Sequence, residues 1–184
     1  MKRILLAHAS REGQAERIAR HVALGLERRG LAVRLIDVGA GETEAGADDC
    51  EGAILVASIH RARFDPRLAS FLMRHGATLR KCPSAFLTVS LAAASHDAKD
   101  RLALDEIAQG FLHESGWHPD VVLHAAGAIH ERELSLTQRY AVHTIVAEKH
   151  LALDSSGDTE FTDWLDIDRF VADFAARVTG STKA

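Results

Sequence analysis

Six consecutive residues, Ser10-Arg11-Glu12-Gly13-Gln14-Ala15, have the types that hold a phosphate group. They lie between a short apolar run and the start of an amphipathic pattern, so they form a strand-to-helix turn. The first turn of a helix carries N–H groups with no internal partner and a partial positive charge, which suits an anion. Ser10 adds a hydroxyl donor. Gly13 lets the backbone approach closely. Arg11 adds charge or faces solvent. The same residues also describe a plain turn with Ser10 as the N-cap. The spacing matches neither G-x-G-x-x-G nor G-x-x-x-x-G-K-[ST], which argues against NAD and ATP as ligands. Other chemistry has less support. The eleven histidines are scattered, no H-E-x-x-H occurs, and no Cys/His pairing has zinc spacing, so no metal site is expected. His8 and His124 read as hydrogen-bonded structural histidines. No G-x-S-x-G elbow is present, so hydrolase chemistry has no basis. Cys50 and Cys82 make no disulfide framework and read as free thiols in a reducing cytoplasm.

The elements that position this loop follow from periodicity. Lys2 to His8 is a buried strand. Ile18, Val22 and Leu26, with Ala15, Ala19 and Ala23 beside them, make one apolar helix face, and Gly30 lies past its end. Ala32 to Val38 is a second strand and Gly39 to Asp49 a Gly- and acid-rich loop. Gly52 to Ile59 is a third, fully apolar strand. Pro66 opens a helix with Leu68, Phe71, Leu72 and His75 on one side. Pro83 precedes a fourth strand, Ser84 to Leu91. Leu104, Ile107, Ala108, Phe111 and Leu112 mark another helix, and Val121 to Ile129 reads as a fifth strand. The last helix runs from about Trp164 through Ile167, Phe170, Val171, Phe174 and Val178. Apolar strands alternating with amphipathic helices predict an α/β fold, a single parallel sheet covered on both faces. In such a sheet a ligand binds outside the carboxyl ends of the strands, at the switch point. His130 to Glu160 interrupts the alternation. A structured helical insertion fits that length better than a bare loop.

The chain has 184 residues, 47% of them apolar and 26% charged, with a formal charge of −4. That is the composition of one globular domain, residues 1–184, with residues 130–160 as its insertion. The acidic balance excludes a broad nucleic-acid footprint. The apolar runs are far shorter than the ~20 residues that span a bilayer. The N-terminal run ends too soon, at Arg11, for a secretory signal.

A series of short motifs in order carries a resemblance over nearly the whole chain. These are S-R-E-G-Q at Ser10–Gln14, A-S-I at Ala57–Ile59, HGATLRKCPSAF at His75–Phe86 and V-S-L at Val89–Leu91. W-x-P-D at Trp117–Asp120, A-G-A at Ala126–Ala128 and T-D-W at Thr162–Trp164 complete it. With these the chain resembles flavodoxin-fold proteins and, within them, the bacterial FMN- and quinone-dependent protoporphyrinogen IX dehydrogenases. The resemblance implies a flavodoxin-like three-layer sandwich, a five-stranded parallel sheet of order 2-1-3-4-5, with a helical insertion between strand five and the last helix. It implies FMN, its phosphate on Ser10, Arg11, Glu12, Gly13, Gln14 and Ala15, mainly through backbone N–H. The ring would lie between the loop after strand three (Ser58, Ile59, His60, Arg61, Phe64) and that after strand four (Ser90, Leu91, Ala92). The implied reaction is oxidation of a porphyrinogen in haem biosynthesis, with electrons passed to a quinone. The implied location is cytoplasmic or peripheral to the inner membrane. Membrane contact and a homo-oligomer are compatible with it. No residue is assigned as a catalytic acid or base.

Two positions depart from the family pattern. Ala9 stands where the family has a hydroxyl residue and Ala15 where it has Thr. A hydrogen bond to a charged group contributes about 1.5–3 kcal/mol, so each loss weakens FMN by about 10–100-fold. Phe64 or His60 must supply any aromatic contact. Arg61 and Arg63 are suited to a reduced flavin, to substrate carboxylates, or to solvent. Two other readings follow. One is a flavodoxin-type electron carrier, for which the acidic stretch Glu42–Glu51 would dock a basic partner. The other is a domain that has lost FMN and acts as a binding module.

Overall fold

The computed structural model describes residues 1–40, 49–130, 136–148, 151–154 and 158–180. Five strands, β1 (Arg3–Ala9), β2 (Ala32–Asp37), β3 (Gly52–Ser58), β4 (Ser84–Ser90) and β5 (Val121–Ala126), form one all-parallel sheet of order β2-β1-β3-β4-β5. This is the α/β order expected from the sequence. The strand ends run in step: Ala9 pairs with Ala57, Ser58 with Val89 and Ser90 with Ala126. The three loops named above therefore leave the sheet side by side.

Alternation along the strands sends side chains to two cores. Ile4, Leu6, Ile54, Val56 and Leu87 meet α1 (Gln14–Glu27) and α5 (Trp164–Gly180) through Ile18, Val22, Leu26, Val171, Phe174 and Val178. Leu5, Ala7, Leu55 and Phe86 meet α2 (Pro66–Leu79) and α3 (Ala98–Ser115) through Leu68, Phe71, Leu72 and Leu112. Both faces are covered, which is why the central strands read as continuous apolar runs. Close packing sets two glycines. A Cβ on Gly25 would come within 2.9 Å of Val171, and one on Gly52 within 2.8 Å of Ile4. A side chain at either position would crowd α5, through Val171 from Gly25 and through Val178 from Gly52.

The fifth strand is shorter than its pattern suggests. It ends at Ala126, not Ile129. Gly127 turns the chain, its N–H donating to the Ser90 carbonyl, and Ala128–His130 (β6) pairs antiparallel with Asp158–Glu160 (β7). Apolar Ala128 and Ile129 are buried, so they look like strand five while belonging to another sheet. This two-stranded ribbon brackets the insertion, which holds α4 (Leu136–Glu148). Most of the Gly39–Asp49 loop, with its acidic stretch, lies outside the described residues, as do the charged residues Arg132 and Lys149 of the insertion. Among the described residues no helix is long and apolar enough to cross a membrane.

Cys50 and Cys82 precede β3 and β4, and their sulfurs lie 3.7 Å apart. The Cys50 sulfur and burial push the Cys82 thiol up from its ordinary pKa, so it resists ionisation.

His8 lies on β1, two residues before Ser10, with its ring buried. Its Nδ1 is 3.9 Å from an Asp37 carboxylate oxygen. Burial lowers its pKa from the ordinary value of about 6.5, and Asp37 and Glu16 pull it part of the way back. The unfolded chain therefore takes up this proton at a higher pH than the folded one. Below pH about 6.5 the unfolded state holds more protons, and stability falls as pH falls until the folded ring is protonated as well. Melting temperatures between pH 5 and 7 should rise with pH, and His8→Asn should make that slope shallower. An unchanged slope would mean that His8 does not carry it.

Candidate functional site

At the C-terminal end of the sheet the chain reverses direction across it between β1 and β3, the switch point where a ligand crevice is expected. A cavity of about 280 Å³ opens there, lined by Ala9, Ser10 and Arg11 from the first loop and by Ser58, His60, Arg61, Arg63 and Phe64 from the third.

The first loop ends in a helix start that no side chain caps. Gly13, not Ser10, is the N-cap, with φ +85°, and Arg17 N–H to Gly13 carbonyl is the first helical bond. The N–H groups of residues 14 to 16 are left free of the helix ladder. Ser10 Oγ is buried and has no hydrogen-bond partner among the described residues. A buried hydroxyl without a partner costs about 1–3 kcal/mol, so this one awaits an acceptor. An uncapped helix start and an orphaned hydroxyl at one strand end fit a phosphate group. Ala9 ends β1 at the cavity wall. Ala15 differs: its methyl is packed into the α1/α5 core with Ile18, so only its backbone N–H faces this role. A Thr hydroxyl at Ala15 would enter that core, whereas one at Ala9 would lie at the cavity.

The loop after β3 is a tight turn. His60 and Arg63 exchange backbone hydrogen bonds, while Arg61 and Ala62 both have positive φ, 50° and 60°. Two non-glycine residues in that region cost about 1–2 kcal/mol each. Strain of this kind is typical of a ligand-contacting loop. The turn holds Arg61 and Arg63 outward, and with Arg11 they line the cavity against one carboxylate, Asp65, so its mouth is cationic on balance. His60 Nδ1 lies 4.0 Å from Glu12 Oε1, linking the two loops. The Phe64 ring packs against Phe86 and Phe111 at centroid distances of 5.2 and 4.8 Å. It anchors the turn to the α2/α3 core and offers the cavity only what remains. His60 is thus the more available of the two rings named from the sequence. Ile59 donates its N–H to Val89 and does not line the cavity.

The loop after β4 is ordered. Ser90 Oγ accepts from Ala93 N–H and starts a 3₁₀ turn over Leu91–Ala94. Ser90, Leu91 and Ala92 lie at the neighbouring strand end and do not line the 280 Å³ cavity. Ala93 and Ala94 line a second, larger cavity of about 720 Å³, closed by β5, the start of α5 and the described end of the insertion, Glu148, Leu151 and Ala152. Its polar wall is acidic: Asp97, Asp100, Glu148, Asp163 and Asp166. No group of three or more His, Cys, Asp or Glu among the described residues is arranged to hold a metal ion. His124, in that wall, is held on both ring nitrogens, by Thr88 Oγ1 at 2.6 Å and Asp105 Oδ1 at 3.0 Å.

Residues outside the sequence candidates also meet here. Glu160, the last residue of the insertion, and Thr162, just after it, accept hydrogen bonds from the side chain of Gln14. Thr162 has a sequence trace in the T-D-W motif at Thr162–Trp164, and Glu160 has none.

The comparisons agree with this geometry. The chain is 28% identical over 173 residues to a Leishmania major protein named protoporphyrinogen IX dehydrogenase [quinone], covering 94% of this chain and 74% of that one. It is 26% identical over 171 residues to an Escherichia coli K12 protein of the same name, covering 93% of each. A Fusobacterium nucleatum flavodoxin bound to flavin mononucleotide superposes along the full length of both chains with a TM-score of 0.52 at 10% identity, a likeness of fold. The family model described as "Flavodoxin domain" matches residues 5–155, from the first strand through the switch-point loops into the insertion. With the sheet order, the uncapped first helix and the crevice between the first and third loops, that match places the chain in the flavodoxin-domain family.

Proposed function

We propose that the chain is an FMN-dependent oxidoreductase that oxidises a porphyrinogen and passes the electrons to a quinone. The observation that carries the cofactor is the uncapped start of α1 with Ser10 Oγ buried and unpartnered beside it. FMN when bound would accept electrons from one substrate and return them to another. The chain's own residues do the rest. Backbone N–H groups of residues 14 to 16 and Ser10 Oγ hold the phosphate. Ser58, His60 and the strained turn at Arg61–Ala62 form the wall on the ring side. Arg11, Arg61 and Arg63 stand at the mouth, where their guanidinium groups suit the carboxylates of a tetrapyrrole. Charge separates the two cavities. The acidic wall of the larger one would repel those carboxylates, so the tetrapyrrole is assigned to the arginine side. The porphyrinogen and quinone assignment leans on the names of the two relatives.

The test is a titration of purified protein with FMN, followed by visible absorption and calorimetry, then an assay with porphyrinogen and a soluble quinone. Saturable binding in the micromolar range or tighter is expected, with porphyrin formed only when quinone is present. Binding without turnover would leave an electron carrier. No binding at high micromolar FMN would overturn the flavoenzyme reading and leave the domain as a binding module, the outcome that the missing hydroxyl at Ala9 would then explain.

A further inference from the structure

Gln14 begins α1, directly after the N-cap, yet its side chain does not face the crevice. It is buried and turned toward the end of the insertion. Its Nε2 donates to Glu160 Oε1 at 2.9 Å and to Thr162 Oγ1 at 2.8 Å. The proton count fixes these roles. Thr162 Oγ1 donates its own proton to the Ala126 carbonyl at 2.7 Å, and the Glu160 carboxylate only accepts, so the Gln14 amide nitrogen is the donor in both bonds. Arg17 Nη1 reaches the same Glu160 oxygen at 3.0 Å. Phe161 N–H then bonds the Gly127 carbonyl, and Gly127 N–H bonds the Ser90 carbonyl. One continuous hydrogen-bonded path thus runs from the phosphate loop, through the β7 end of the insertion's ribbon, to the end of β5 and the loop after β4.

We propose that the Gln14–Glu160–Thr162 clasp is a positioning device that couples phosphate binding on the first loop to the ordering of the insertion's root. The identity of the ligand rests on the FMN reading, but the coupling needs only a phosphate on the loop. The phosphate donors belong to residues 14 to 16, and the side chain of the first of them is clamped to Glu160 and Thr162. Whatever fixes those N–H groups therefore also fixes the clasp. The reverse holds too, because a coupling free energy between two sites is reciprocal. Hydrogen bonds in such a chain strengthen one another, and the one group of the clasp left without a partner among the described residues is the buried Gln14 Oε1.

The test uses the full chain and three variants, Thr162→Val, Thr162→Ser and Glu160→Gln. FMN and riboflavin, which lacks the phosphate, are titrated in parallel. Thr162→Val keeps shape and removes the hydroxyl. It should weaken FMN by about tenfold, the equivalent of one to two lost hydrogen bonds, and leave riboflavin unchanged. Thr162→Ser should restore FMN affinity. Glu160→Gln retains an acceptor oxygen but loses the ion pair with Arg17, and it should fall between wild type and Thr162→Val. Equal loss of both ligands, with a matching drop in melting temperature, would mean a merely structural contact and would overturn the proposal. So would no change in either ligand. Hydrogen exchange at residues 128–130 and 158–162 is the second readout, measured with saturating FMN and, separately, with inorganic phosphate. Protection should rise with either in wild type and not in Thr162→Val. If the wild type does not bind FMN, the flavin reading fails by itself. Protection induced by inorganic phosphate would then still support the coupling, and its absence would overturn it.

Discussion

Gly13→Val should lower FMN affinity by two to three orders of magnitude while changing riboflavin affinity only a few-fold. The reason lies in the backbone. Gly13 sits at φ +85°, and a Cβ there meets nothing within 4 Å. Neighbours therefore do not exclude a side chain; the conformation does. A β-branched residue in the left-handed region costs about 1–2 kcal/mol or more, and the loop can relieve it by returning to negative φ. That rotation disturbs the alignment of the N–H groups of residues 14 to 16, the proposed phosphate donors at the uncapped start of α1. Each bond to a phosphate contributes about 1.5–3 kcal/mol, so losing the aligned set costs at least a hundredfold in affinity. Gly13→Asn separates geometry from mere presence of a side chain, since Asn tolerates this region. It should retain most of the affinity. Titration of both ligands by flavin fluorescence decides it. Binding of FMN to Gly13→Val within about threefold of wild type would mean that the phosphate sits elsewhere.

Phe86→Ala should cost about 3–5 kcal/mol of folding stability. Phe86 is fully buried on β4, with Phe64, Phe111 and Trp117 around it at centroid distances of 5.2, 5.7 and 5.8 Å. Removing the ring leaves a cavity that three other aromatics cannot fill without leaving their own contacts. A loss of that size is a large share of the 5–15 kcal/mol that stabilises a typical domain. Urea unfolding should show a lower midpoint with the slope unchanged. The effect reaches the site as well. Phe64 loses one of its two aromatic neighbours, and Phe64 tethers the strained turn that carries Arg61 and Arg63. Flavin affinity should fall for FMN and riboflavin together, the opposite of the Gly13→Val signature. A destabilisation under about 1 kcal/mol would mean that the cluster repacks freely.

These outcomes separate what local pattern encodes from what long-range contacts decide. The apolar runs of β1, β3 and β4, the spacing of Ile18, Val22 and Leu26, and the polar Gly-containing turn between strand and helix are properties of neighbouring residues. They were legible because a parallel strand buried on both faces must be apolar throughout, and a helix on its face must repeat every three or four residues. The order of the strands was legible through motifs that occur in sequence from Ser10 to Trp164. Other features depended on residues far apart. Apolar periodicity continues through Ala128 and Ile129, but their pairing with Asp158–Glu160 places them outside the main sheet. Ser10 is an N-cap type, yet the helix begins after Gly13, so the hydroxyl is left for another acceptor. Phe64 is an aromatic beside the crevice, but Phe86 and Phe111 draw its ring inward. Ala15 reads as a lost phosphate donor, and the helix's orientation puts its methyl in the core. Gln14 meets partners 146 and 148 positions away, a distance at which no local spacing predicts contact. The layers, the strand-to-helix turns and the class of ligand they suit are thus written in the order of neighbouring residues. Which side of each turn is left open to a ligand is set by long-range contacts, because distant residues bury or hydrogen-bond the other side.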